Sequence, residues 1–145
     1  MTSLSLQAFE GHWDLSREIE DRRAGEMAHL EGLCRFDRDG EELIQTETGK
    51  LFLSGGRGPF AAERRYLWRE IAQTIHVFFE DGRFFHLFDP GAAMPMATHD
   101  CAPDRYEVAY DFSDWPDWRA RWTVIGPRKD YTSVTQYRRC VQPAI

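Results

Sequence analysis

The chain has 145 residues, 18 basic and 24 acidic for a net charge of −6, and is 42% hydrophobic and 14% aromatic. That length suits one domain over residues 1–145 with a core that needs no disulfide support. The acidic balance argues against a nucleic-acid partner, which needs a basic face to displace counterions, and no apolar run approaches the roughly 20 residues of a membrane span. The first ten residues lack the basic start and apolar centre of a secretory signal, so a cytoplasmic location is expected. Cys34, Cys101 and Cys140 are odd in number and widely spaced, which points to free thiols rather than a disulfide framework.

Residues 2–10 read as a short helical lead-in, capped by Ser3 or Ser5, with Leu4, Leu6 and Phe9 on one side. Gly11-x-Trp13 then opens an alternating run, Trp13, Leu15, Arg17, Ile19, with polar residues between, the signature of a half-buried strand. Trp13 is expected at the floor of a barrel. A turn at Arg23-Ala24-Gly25 leads to a second strand with Ala28, Leu30, Gly32, Cys34 and Phe36 on one face. Asp39-Gly40 predicts a two-residue hairpin loop. That register sets Phe36 opposite Leu43, Cys34 opposite Gln45 and Gly32 opposite Glu47, and turns Gln45 and Glu47 inward.

The segment Ser54–Pro59 is read as a mobile connection. It has neither the Lys-Ser/Thr of a phosphate loop nor the spacing of a dinucleotide fingerprint. Arg64, Tyr66 and Trp68 share one face of the next strand. Asp81-Gly82 predicts a straight hairpin that pairs Phe79 with Phe84, Val77 with His86 and Ile75 with Phe88, which places Phe84 and His86 inside. Asp89–Pro95 is a second irregular loop, suited to a lid over a barrel mouth. Later strands carry His99 and Cys101; then Tyr106, Val108, Tyr110 and Phe112; then Trp118, Ala120, Trp122 and Val124. Trp115 and Trp118, beside Pro116, read as a plug at a strand end, with an exposed dimer patch as the alternative. The last strand runs from about Lys129 to Cys140, and Arg128-Lys129-Asp130 is a charged turn at the rim. About ten short strands at this spacing predict an all-β, closed, antiparallel up-and-down barrel with a short N-terminal helix. Such a barrel is filled by side chains or holds one small ligand.

Gly11-x-Trp13 after a short helix, the long meander and Arg138-Arg139 near the end resemble the calycin superfamily, which includes the lipocalins and the fatty-acid-binding proteins. The resemblance implies that Trp13 packs under an arginine of the last strand, Arg139 or Arg138. The other lipocalin motifs are absent. The segments Asp81-Gly82-Arg83-x-Phe85-His86, His99-x-Cys101-x-x-Asp104-x-Tyr106 and Trp122-x-Val124-x-Gly126-Pro127 resemble a small bacterial family of uncharacterised proteins. That likeness spans nearly the whole chain and implies a fold more than an activity.

The interior face holds polar groups that must be paired or solvated. Arg17, Arg64 and Tyr66 are expected to bind the polar end of a ligand, with Glu47 as an ionic partner of the arginines. His86, His99, Tyr106 and Trp122 are expected along the cavity wall, and Trp13 and Arg139 in a structural role. An arginine fork suits a carboxylate, and aromatic walls suit an apolar body. This combination predicts a binding protein for a small, partly apolar, anionic molecule. The alternatives are a cofactor-independent isomerase- or cyclase-type enzyme using His86 or Glu47 for proton transfer, and an interaction module with a filled core. His86, His99 and Cys101 are metal-ligating types, but their spacing matches no zinc motif, so neither metal nor cofactor is expected. The protein is expected to be a monomer or homodimer.

Overall fold

Strand β1 (Gly11–Asp21) alternates buried and exposed from its first turn onward, with Trp13, Leu15 and Arg17 all facing inward. Period-two burial of this kind exists only if a second wall covers the inner face. Here that wall is the rest of the same sheet. The structure, a computed structural model, describes residues 4–140. The elements after β1 are β2 (Glu26–Asp39), β3 (Glu42–Leu53), β4 (Phe60–Ile71), β5 (Thr74–Phe79) and β6 (Phe84–Phe88). They are followed by β7 (Met96–Cys101), β8 (Asp104–Asp111), β9 (Trp118–Gly126) and β10 (Lys129–Arg139).

All ten form one antiparallel sheet in the order β6-β5-β4-β3-β2-β1-β10-β9-β8-β7. The expected up-and-down barrel is therefore present, and β1 pairs with β10, Trp13 opposite Arg139. It is nearly closed rather than closed. The ends of the sheet are β6 and β7, and side chains bridge that seam. The His86 Nε2 and Tyr110 hydroxyl are 2.8 Å apart, and the His99 ring lies 5.3 Å from that of Phe85.

One end of the tube is sealed by aromatic rings. The lead-in is a single 3-10 turn, Leu6–Phe9, and the Ser5 side chain does not cap it; the alternative cap, Ser3, lies outside the described residues. The turn crosses the barrel end, because Leu6 N donates to Glu70 Oε1 of β4 at 3.0 Å. This seats Phe9, fully buried, against Phe36, Trp68, Phe112, Trp115 and Trp118. Trp13 lies beside it, its Nε1 donating to Phe9 O at 2.9 Å. The Arg139 guanidinium sits 4.0 Å from the Trp13 ring centroid and donates to the carbonyls of Ala8 and Glu10. Of the two arginines the sequence offers, Arg139 is the one over the indole; Arg138 faces Asp117 outside. Trp115 and Trp118 plug this end and form no exposed patch.

Three local expectations are corrected. The β2–β3 loop is Gly40-Glu41, with Asp39 paired to Glu42. Gly40, at φ +63°, takes the first central position instead of the second, as in a type II′ turn. The pairing therefore shifts by two residues: Phe36 faces Gln45 and Cys34 faces Glu47. An even shift preserves the faces, so Gln45 and Glu47 still point inward. In the β5–β6 hairpin Val77 does pair with His86 and Ile75 with Phe88, but Phe78 pairs with Phe84 across a bulge. The bulge gives β6 an extra residue, Phe85, so that Phe85 and His86 are both buried while Phe84 is exposed. A bulge breaks alternation by setting two residues opposite one. Finally, the Asp89–Pro95 segment is no lid for the mouth. Pro95 O and Ala93 O accept from Tyr110 N and Phe112 N, which lays the segment along the sealed end.

Among the described residues no helix is long and apolar enough to cross a membrane.

Candidate functional site

Above the aromatic floor the interior becomes ionic. Glu47, on β3, is 3% exposed and its two oxygens are crowded with donors. Oε1 accepts from Arg17 Nη2 at 2.7 Å and Arg64 Nε at 2.8 Å. Oε2 accepts from the Tyr137 hydroxyl and from Gln45 Nε2 at 3.3 Å. Register explains the meeting: Glu47 is opposite Arg64 across β3–β4, and Arg17 is opposite Thr135 across β1–β10, whose hydroxyl accepts from Arg17 Nε at 2.7 Å. Burial opposes ionisation of Glu47, but the charges of Arg64 and Arg17, with the hydrogen bonds they and Tyr137 donate, overturn it and hold the carboxyl at about 2. Burial, reinforced by the Glu47 charge, pushes the Tyr137 phenol well up, so it stays a donor. Two guanidinium groups facing one carboxylate leave one positive charge in excess inside the barrel.

That excess is placed at the open end. Arg64 lies within the tube, yet 41% of its side chain meets solvent. Only its Nε is used by Glu47; no acceptor among the described residues takes the Nη hydrogens. Arg64 borders a cavity of about 230 Å³ whose wall also includes Tyr66, Phe85, Tyr106, Trp122 and Tyr131. Arg64 is the one charged residue along that wall. The rings are ordered: Phe85 stacks on Trp122 at 5.0 Å with planes 9° apart, and on Tyr66 at 5.7 Å. At the rim Lys129 Nζ donates to the Tyr106 hydroxyl at 2.9 Å and pairs with Asp104 at 3.2 Å. The charged turn is thus occupied in holding Tyr106.

Beneath the mouth, Arg64, Tyr66, Phe85 and Trp122 also border a second hollow of about 30 Å³, whose deeper wall includes His86, Tyr110 and Trp118. His86 is 2% exposed. Burial, with a smaller contribution from His99, holds its imidazole at about 3, so it is neutral at pH 7.

The residues predicted from sequence therefore separate by depth. Arg64, Tyr66, Tyr106 and Trp122 line the mouth. His86 lines the deeper hollow. Arg17 and Glu47 border a third space of about 60 Å³ beside Gly49 and Ala62, behind the mouth. His99 lies on the seam strand, its ring against Phe79 and Phe85; it borders none of the three spaces. Sequence reasoning missed Phe85, Tyr131 and Tyr137. Tyr131 and Tyr137 are on the inward face of β10 with Ser133 and Thr135, and alternation along that strand was the signal that could have found them. Phe85 was hidden by the bulge. Among the described residues no group of three or more His, Cys, Asp or Glu side chains is arranged to hold a metal ion.

The architecture is shared with a solved structure. The S-type phycobiliprotein lyase CPES from Guillardia theta superposes with a TM-score of 0.70 at 8% identity, over 95% of this chain and 92% of that one. A redesigned β-barrel, mFAP1, bound to DFHBI, gives a TM-score of 0.46 at 16% identity, over 92% of this chain and 98% of that one. No curated protein matches the sequence. The family match covers nearly the whole barrel, from Phe9 of the sealing turn to Arg139 over Trp13: across residues 9–139 the chain belongs to a family of unknown function, DUF6314.

Proposed function

We propose that the barrel binds a small organic anion with a flat, apolar body, held in the mouth cavity with its charge on Arg64. The observation that carries this reading is the unspent guanidinium. Arg64 keeps its terminal donors free, inside an aromatic wall, in a cluster with one positive charge in excess. A carboxylate there gains charge-assisted, two-pronged hydrogen bonds, and the partly enclosed site weakens them less than open water does. The remaining wall is suited to ring faces. At interior packing density, about 230 Å³ accommodates a ligand of roughly ten non-hydrogen atoms.

Glu47 and Arg17 serve this site from behind. Glu47 fixes the Arg64 side chain through Nε, and Arg17 with Tyr137 keeps Glu47 ionised. The lyase shares the fold at 8% identity, which speaks to architecture and leaves the ligand open. An isomerase-type role has less support, since the candidate acid–base group His86 is bonded to Tyr110 and sits below Phe85.

Native mass spectrometry of the freshly purified protein tests the reading, together with benzoate added to the stripped protein. A small acid released on denaturation, or benzoate adducts that are lost in Arg64→Gln, is the expected result. A bare protein mass and no benzoate adduct on the wild type would overturn it.

A further inference from the structure

The deep hollow has a chemistry of its own. Among the described residues two buried side-chain atoms lack any hydrogen-bond partner, His86 Nδ1 and Trp118 Nε1, and both side chains line this one space. An unpaired buried donor or acceptor is disfavoured enough that native structures seldom carry one without compensation. Two bordering one hollow therefore indicate a shared partner. At about 30 Å³ the space suits one or two oxygen-sized groups, since a single water needs about 10–15 Å³.

The identity of the group follows from the donors. Trp118 Nε1–H only donates, so the group must accept. His86 Nε2 faces the Tyr110 hydroxyl at 2.8 Å. If Tyr110 donates to Nε2, Nδ1 carries the proton and donates; if Nε2 donates to Tyr110, Nδ1 accepts. A carbonyl satisfies only the first tautomer. A hydroxyl, whether of a water or of a ligand, accepts from Trp118 and either accepts from or donates to His86, so it satisfies both. The hollow also shares Arg64, Tyr66, Phe85 and Trp122 with the mouth cavity, so the two spaces adjoin along these four side chains.

We propose that His86 and Trp118 form a subsite for one hydroxyl group, and that the ligand of the mouth is a hydroxylated aromatic acid: carboxylate on Arg64, ring against the Phe85–Trp122 stack, hydroxyl between the His86 and Trp118 ring nitrogens. The naming of the acid rests on the reading of Arg64 given above, whereas the hydroxyl subsite itself does not. Phe85, the extra residue of the β6 bulge, is one of the four side chains that border both spaces.

Calorimetric titration with benzoate, 3-hydroxybenzoate, 4-hydroxybenzoate, 4-hydroxycinnamate and uncharged phenol tests this, alongside the ¹⁵N–¹H resonance of the Trp118 indole in the wild-type protein. The expected result is that at least one hydroxylated acid binds ten-fold or more tighter than benzoate and moves the Trp118 indole signal. Benzoate leaves that signal in place, and Trp118→Phe removes the advantage without weakening benzoate. Should Trp118→Phe fail to fold, the wild-type indole signal decides the matter. If carboxylates bind but a hydroxyl adds less than two-fold for every acid, the subsite is wrong and the Arg64 reading stands. If no carboxylate binds while phenol does and moves the Trp118 signal, the subsite stands, and both the Arg64 reading and the acid named here fall. Silence from every probe overturns both.

Discussion

Replacing Glu47 by Gln keeps the shape of the side chain and removes the one negative charge from the middle of the barrel. Arg17, 5% exposed, then holds a buried charge with no counter-ion, and the new amide turns donors toward Arg17, Arg64 or Tyr137. Two routes give the magnitude. Breaking one half of a buried ion pair is destabilising by about 3–5 kcal/mol. Independently, a carboxyl held at about 2 rather than an ordinary 4.5 corresponds to about 3 kcal/mol at neutral pH. For a domain of this size that lowers Tm by about 10 °C. The sign of the pH dependence follows from the depressed value. The contribution is complete above the unfolded-state pKa and is lost as pH falls from about 4.5 toward 2. The gap between wild type and Glu47→Gln is therefore wide at pH 7 and closes across that window. Thermal melts followed by far-ultraviolet circular dichroism, run in parallel from pH 7 to pH 2, measure both. A Glu47→Gln protein melting within about 2 °C of wild type at pH 7, well under the shift expected for a lost buried pair, would refute the ionic-core argument.

Arg139→Met removes the cation over Trp13 and two bonds to the carbonyls of the sealing turn. We expect a loss of about 2 kcal/mol in urea unfolding, with a red shift of tryptophan emission as the turn loosens; unchanged stability would contradict the clamp. His86 is neutral when folded and protonates near 6.5 when unfolded. The unfolded state thus gains the proton first, and stability falls as pH drops from about 6.5 toward 3, by up to about 1.4 kcal/mol per pH unit. Imidazole resonances checked by NMR should show no titration of His86 between pH 5 and 8; a midpoint near 6.5 would contradict its burial. Gly32→Ala places a Cβ 1.9 Å from the Thr48 carbonyl oxygen. The backbones of β2 and β3 must separate there, and we expect a loss of about 1–3 kcal/mol by urea titration, absent if the strands part freely.

The architecture was legible because most inward positions alternate without interruption. Trp13, Leu15 and Arg17 on β1, and Trp118, Ala120 and Val124 on β9, each follow period two through to the structure. The inward face of Glu47 was legible but its partner on β2 was not, because the Asp39-Gly40-Glu41 sequence lets the glycine take either central position of the loop, and the faces survived only because the slip was even. The bulge at Phe85 was not legible. Phe78-Phe79 and Phe84-Phe85 offer apolar residues to both faces, so hydrophobicity could not say which one leaves the core. The β4–β5 turn was silent for a different reason: Ala72 and Gln73 adopt positive φ, 49° and 67°, which neither residue type signals. The seam followed from no local pattern, since whether β6 reaches β7 depends on how far the sheet coils over all ten strands.

The central claim is that Arg64 reads a negative charge in an aromatic mouth. It is tested most directly by calorimetric titration of the wild type and Arg64→Gln with two probes of equal shape, benzoate and uncharged benzamide. Our account predicts that the wild type prefers benzoate by at least about ten-fold, as charge-assisted bonds to a guanidinium require, and that Arg64→Gln binds the two alike. Equal affinity of the wild type for both, or a benzoate preference that survives Arg64→Gln, would contradict it.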